Sequence, residues 1–153
     1  MSFDDLPQNW PHVPLDTPGL AADVADLVVG HEDRVAGCIG LVLSAADLTM
    51  GQPAIISDVA DSVPPDHLRP ALDHLCALLR ETGGALVFVR GRDGSVRFSD
   101  ADRRWHQLAT DVCRGAGVRL LGAYLATPAA VRSFPEPLAA VSDEAAMPDD
   151  VAS

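Results

Sequence analysis

Apolar residues fall along this chain in short blocks, and the change of spacing from block to block marks the elements. Residues 1–17 (MSFDDLPQNWPHVPLDT) have no apolar period and several prolines, which predicts an extended arm. Trp10 inside that arm is costly to leave in water, so it is expected to dock on a groove of this chain or of a partner. Thr17-Pro18 then supplies an N-cap and a first-turn proline for a helix through about Val29, with Leu20, Val24, Leu27 and Val28 as its apolar stripe. Val35 to Leu43, rich in β-branched and small apolar residues, predicts a buried strand. A turn near Ala46-Asp47 leads to a second strand over Pro53 to Val59, so the pair reads as a hairpin.

The period then returns to helical. Ser62-Val63-Pro64-Pro65-Asp66 opens a helix with Leu68, Leu72, Leu75, Cys76 and Leu79 on one face, ending before Gly83-Gly84, which can supply a left-handed C-cap. Pro70 is tolerated because the first helical N–H groups lack partners anyway. Ala85 to Val89 is a continuous apolar run, the mark of a central strand, and Arg90 to Ser95 reads as the loop after it. A helix from Ser99 to near Gly115 turns Trp105, Leu108, Val112 and Cys113 inward; Val118 to Ala126 is another strand, and Ala130 to Phe134 a short last one. The order α-β-β-α-β-α-β predicts one α/β domain over residues 18–134 with a mixed sheet, followed by an acidic tail, 135–153, that is expected to be disordered.

Composition narrows the chemistry. All eleven basic residues are arginine, which removes the P-loop phosphate clamp, the kinase strand lysine and any Schiff base to a cofactor. The net charge of −11 is uneven: −10 over residues 1–68, +4 over 69–132 and −5 over 133–153. Such acidity disfavours non-specific nucleic-acid binding, leaving only a local patch in the arginine-rich middle or solvated arginines there. The longest apolar stretch, Ala36 to Ala46, is far too short for a bilayer, and the start MSFDDL has no basic or apolar signal region, so a cytoplasmic protein is expected. Cys38, Cys76 and Cys113 lie among apolar residues without a C-x-x-C or Cys/His pairing, which predicts buried reduced thiols and no zinc ribbon. His106 lies about 10 Å from Cys113 along one helix, too far to activate it as a nucleophile. His67 and His74 are likewise about 10 Å apart and cannot share a metal; His12 and His31 have no partner readable in sequence, and neither Ser44 nor Ser57 sits in a G-x-S-x-G elbow.

The candidate binding residues gather at one helix start. Ser99 and Asp102 form a capping box, or alternatively a polar site at a strand's carboxyl end. Arg90, Arg92 and Arg97 flank the same point, where free N–H groups and a partial positive charge suit a phosphate or carboxylate; against this, Asp93-Gly94 is a hairpin signal that would leave the arginines in water. Asp102 and His106, spaced i, i+4, read either as a helix-stabilising pair or as a carboxylate-oriented imidazole.

Strand, loop, then Ser-x-x-Asp opening a helix resembles the JAB/MPN metalloprotease-like fold, including the RadC family, over roughly residues 35–134. The hairpin, the helix ending in small residues and the segment GVRLLGAYLAT followed by Ser-Phe share that order. The resemblance implies a three-layer α/β/α, cytidine-deaminase-like architecture, and a motif H-x-H-x7-S-x-x-D whose histidines and aspartate hold zinc. Anchored on Ser99 and Asp102, the histidine positions fall on Val89 and Gly91, which cannot ligate, and the family's glutamate falls near Ala54. The resemblance therefore implies a domain without its zinc. A second resemblance, to actinobacterial domains of unknown function sharing the GVRLLGAYLAT style of strand, implies no activity.

Two functions follow as expectations. The first is a non-catalytic, cofactor-free and metal-free protein-interaction or scaffold module, acting as a homodimer or on a protein partner. The second is an enzyme binding a small anionic molecule through Arg90, Arg92, Asp102 and His106 at the head of the Ser99 helix. No membrane partner is expected.

Overall fold

A computed structural model describes residues 12–60 and 62–135. Trp10 and the tail from residue 136 lie outside the described residues. The elements in chain order are α1 (Leu20–Val28), α2 (His31–Ala36), β1 (Cys38–Ser44), β2 (Met50–Ser57), a 3-10 turn (Pro65–Leu68), α3 (Arg69–Thr82), β3 (Leu86–Gly91), α4 (Asp100–Ala116), β4 (Leu120–Ala126) and β5 (Val131–Ser133). The five strands form one mixed sheet in the order β2-β1-β3-β4-β5, antiparallel except for the β3–β4 pair, which α4 connects. The chain is thus α/β, as its periodicity predicts.

Strand alternation divides the core in two. On β3, Leu86 and Phe88 join Ile39, Leu41 and Leu125 beneath Leu72, Cys76 and Leu79 of α3 and Trp105, Leu108 and Val112 of α4. Val87 and Val89 join Cys38, Val42 and Ala126 on the opposite face, covered by Leu20, Ala21, Val24 and Ala25 of α1. Leu15 belongs to this second cluster and is 1% exposed, so the end of the proline-rich arm packs onto the domain, its N–H donating to the Leu48 carbonyl at 2.8 Å. No helix among the described residues is long and apolar enough to cross a membrane.

Several boundaries differ from those read in the sequence. Val35 and Ala36 belong not to a strand but to α2, whose first turn is acidic (Glu32, Asp33) and whose Arg34 folds back as a clamp. The Arg34 guanidinium is buried and donates to the carbonyls of Val29 (2.8 Å), Thr127 (3.0 Å) and Asp26 (2.9 Å) and to Asp26 Oδ1 (2.8 Å). Those bonds outweigh the β propensity of the neighbouring valine. Arg34→Ala is expected to lower stability by about 2 kcal/mol, because three carbonyls lose a donor, and Arg34→Lys to recover only part of it. Urea denaturation checks this, and an unchanged midpoint would refute it.

The second strand ends at Ser57 rather than Val59, since Asp58 takes a positive φ of 59° that no ladder tolerates. Pro53 sits inside this strand without cost. Ser44 N–H donates to Ala85 O, which fixes the even-numbered residues of β1 as bonding toward β3 and the odd ones toward β2. With Leu41 opposite Ala54 and Leu43 opposite Gln52, Pro53 points its missing donor outward, off the edge of the sheet. The last helices end as the sequence predicts, α3 on Gly83 at φ 77°.

Candidate functional site

The strand end beside the Ser99 helix is the one place where the sequence gathers charged and polar candidates, and the geometry there begins with β3. This strand runs on through Arg90 and Gly91, past the predicted loop start, because both residues have neighbours on each side: Arg90 pairs with Ile39 and Leu125, Gly91 with Cys38 and Ala126. Arg90 is therefore a core residue, 0% exposed, on the same face as Leu86 and Phe88. Its Nη1 donates to the Val59 carbonyl at 3.2 Å, its Nε lies 3.7 Å from Asp102 Oδ1, and its guanidinium lies 5.8 Å from the centre of the buried Trp105 ring.

Asp102 is the hub. It too is 0% exposed. Arg92, at the first loop position, grips it bidentately, Nε to Oδ1 at 2.9 Å and Nη2 to Oδ2 at 2.8 Å, and also donates from Nη1 to the Asp93 carbonyl and from Nη2 to the Arg97 carbonyl, each at 2.8 Å. Oδ2 also accepts from the Ser99 N–H at 2.9 Å while Ser99 Oγ accepts from the Asp102 N–H at 3.1 Å, a complete capping box. Burial pushes the Asp102 carboxyl up, but the Arg92 hydrogen bonds, the Ser99 bonds and the Arg92 charge outweigh it and hold the group below its ordinary value. The capping alternative is thus what the residues do. Asp93-Gly94 forms a turn into α4 rather than a hairpin, with Gly94 at φ 95°.

The remaining candidates do not converge on this hub. Arg97 is exposed. The His106 ring stacks on Phe134 at 4.7 Å, Phe134 stacks on Phe98 at 4.6 Å, and the Arg132 guanidinium covers Phe98 at 4.1 Å. His106 thereby borders a different hollow, of about 290 Å³, with Thr110, Arg114 and Tyr124. The sequence gives no hint of this stack, whose members come from α4, β5, the loop before α4 and the residue after β5.

The positions that the resemblance assigns to zinc ligands can be placed directly. Val89 is in the core beneath α1, and a side chain added at Gly91 would meet Cys38 Sγ at 2.5 Å and Val29 Cγ1 at 3.3 Å. Both face α1, whereas Asp102 stands on the other side of the sheet with Trp105. Ala54, assigned to the glutamate, packs from the edge strand against the α3/α4 side. No group of three or more His, Cys, Asp or Glu among the described residues is arranged to hold a metal ion.

A second surface was not found by sequence reading. Where the β1–β2 turn meets the end of α3, a groove of about 540 Å³ is lined by Leu43, Ala45, Ala46, Gln52, Leu78 and Thr82 among others, none of them charged. Leu78 stands 45% exposed at its wall. The helical period of α3 alone could have flagged Leu78, the one leucine of that helix off its inward stripe. Set against known proteins, the chain matches no family model and no curated sequence.

Proposed function

We propose that this chain is a non-catalytic protein-interaction module, and that the partner its uncharged groove fits is a second copy of itself. The observation that carries the reading is that groove. On a chain of net charge −11, two copies repel except where charge is absent, and the groove lining bears none. It offers a knob, Leu78, beside an apolar hollow, the self-complementary arrangement that a two-fold contact requires. Helices on both faces of a mixed sheet also agree with a JAB/MPN-like, metal-free domain. The opposed facing of Val89 and Gly91 relative to Asp102 weighs against carrying over that family's ligand register.

The rival reading, an anion-binding enzyme at the head of α4, draws little support from the same geometry. Arg90 is sealed in the core, Arg92 and Asp102 are spent on each other, and His106 lies against Phe134. Sedimentation velocity at micromolar concentration tests the proposal: the wild type is expected to sediment as a dimer and Leu78→Glu as a folded monomer. A wild-type chain that stays monomeric, or a Leu78→Glu dimer, would overturn it.

A further inference from the structure

Two of the three cysteines, far apart in sequence, meet in the core. Cys76 on α3 and Cys113 on α4 place their sulfurs 3.9 Å apart across the packed helices, 37 residues apart along the chain. Both are buried and both are free thiols, as is Cys38. Cys38 is equally buried but lies on the opposite face of the sheet, under α1. The molecule therefore holds one thiol pair and one isolated thiol in comparable burial, and only the pair has a sulfur neighbour to react with.

We propose that Cys76 and Cys113 are a redox modification site, closed by a peroxide into a disulfide that staples α3 to α4. A disulfide needs its sulfurs about 2.05 Å apart, so they must approach by roughly 2 Å across two helices that are already packed together. The electron count balances. Cys76, as the thiolate, attacks one oxygen of hydrogen peroxide; the O–O bond breaks, and the departing hydroxide takes up the Cys76 proton as water. The Cys113 sulfur then attacks the resulting sulfenic sulfur, the S–S bond forms, the S–O bond breaks, and hydroxide leaves as a second water with the Cys113 proton. Two thiols give up two electrons and the peroxide accepts them.

Cys76 is assigned the first attack because its thiol is the one held low in the pair. Either sulfur can donate across this contact; the bond holds the Cys76 thiol below its ordinary value, and together with burial it pushes Cys113 far up. Burial pushes the isolated Cys38 thiol up to about 11, so it is the poorer nucleophile as well as the unpaired one. Because the pair is buried, the reaction waits on local opening between α3 and α4 and is expected to be slow.

The test uses the folded wild-type chain. After exposure to hydrogen peroxide, unfolding and alkylation with N-ethylmaleimide should label Cys38 alone, and peptide mapping should recover a Cys76–Cys113 crosslink that dithiothreitol reverses. The cross-linked protein should melt roughly 10 °C higher than the reduced one, because the bridge restricts the unfolded chain. In Cys113→Ser, dimedone should trap a sulfenic acid on Cys76. If Cys113→Ser misfolds, Cys113→Ala takes its place in that arm, and the wild-type mapping stands regardless. Oxidation of Cys38 at the same rate, intermolecular disulfides, or three alkylatable thiols after prolonged exposure would each overturn the proposal.

Discussion

Replacing Asp102 with alanine is expected to remove about 3–5 kcal/mol of stability. Two arginines, Arg90 and Arg92, converge on this one carboxylate, with side chains 0% and 12% exposed. Its removal leaves guanidinium charge in the core without its partner and also takes away half of the α4 capping box. Ser99→Ala separates the two contributions: it loses only the hydroxyl cap, about 1 kcal/mol. Guanidinium denaturation of the two variants measures the difference, and equal losses would show that the buried ion cluster contributes nothing. Asp102→Asn is the sharper comparison, since it keeps the shape and drops the charge.

The same group predicts how stability depends on acid. The folded carboxyl titrates below its unfolded value of about 3.9. Its contribution is therefore complete above about pH 4 and is lost as pH falls through the lower, folded value. The wild-type chain should weaken steeply below pH 4, while Asp102→Ala, already without the group, should show a shallower acid limb.

How much of this was legible follows from what each feature depends on. Local signals are legible: the Ser99–Asp102 box, the Gly83 cap, the hairpin and the inward face of α4 all depend on spacings of a few residues. The exchange between Arg92 and Asp102 depends on the loop Asp93–Phe98 folding back, and the clamp of Arg34 on Thr127 spans 93 residues, so neither leaves a periodic trace. Arg90 is the instructive case. It directly follows an apolar run, which made it look like the first loop residue, yet its parity with Leu86 and Phe88 already assigned it to the α4 face. The thiol pair could not be seen at all, because helix pairing, not sequence spacing, brings α3 against α4.

Parity also decides the second large effect, the outcome of restoring the missing imidazoles. The double variant Val89→His/Gly91→His rebuilds the H-x-H spacing, and it is expected neither to bind zinc nor to fold at wild-type stability. Residues 89 and 91 project toward α1, away from Asp102, so the two new side chains and the aspartate lie on opposite sides of a closed sheet and cannot share one tetrahedral ion. The new side chain at 91 would start 2.5 Å from Cys38 Sγ, and the imidazole at 89 would replace a fully buried valine of the core cluster that also holds Val24 and Val29. Overpacking of one position typically costs about 1–3 kcal/mol and burial of an unpaired polar ring a similar amount, so a loss of roughly 3–5 kcal/mol is expected. Chemical denaturation and elemental analysis of the purified variant measure both. One zinc per chain, with stability rising as metal is added, would mean that β3 carries these positions on the Asp102 side, and the facing of the whole strand would then have to be redrawn.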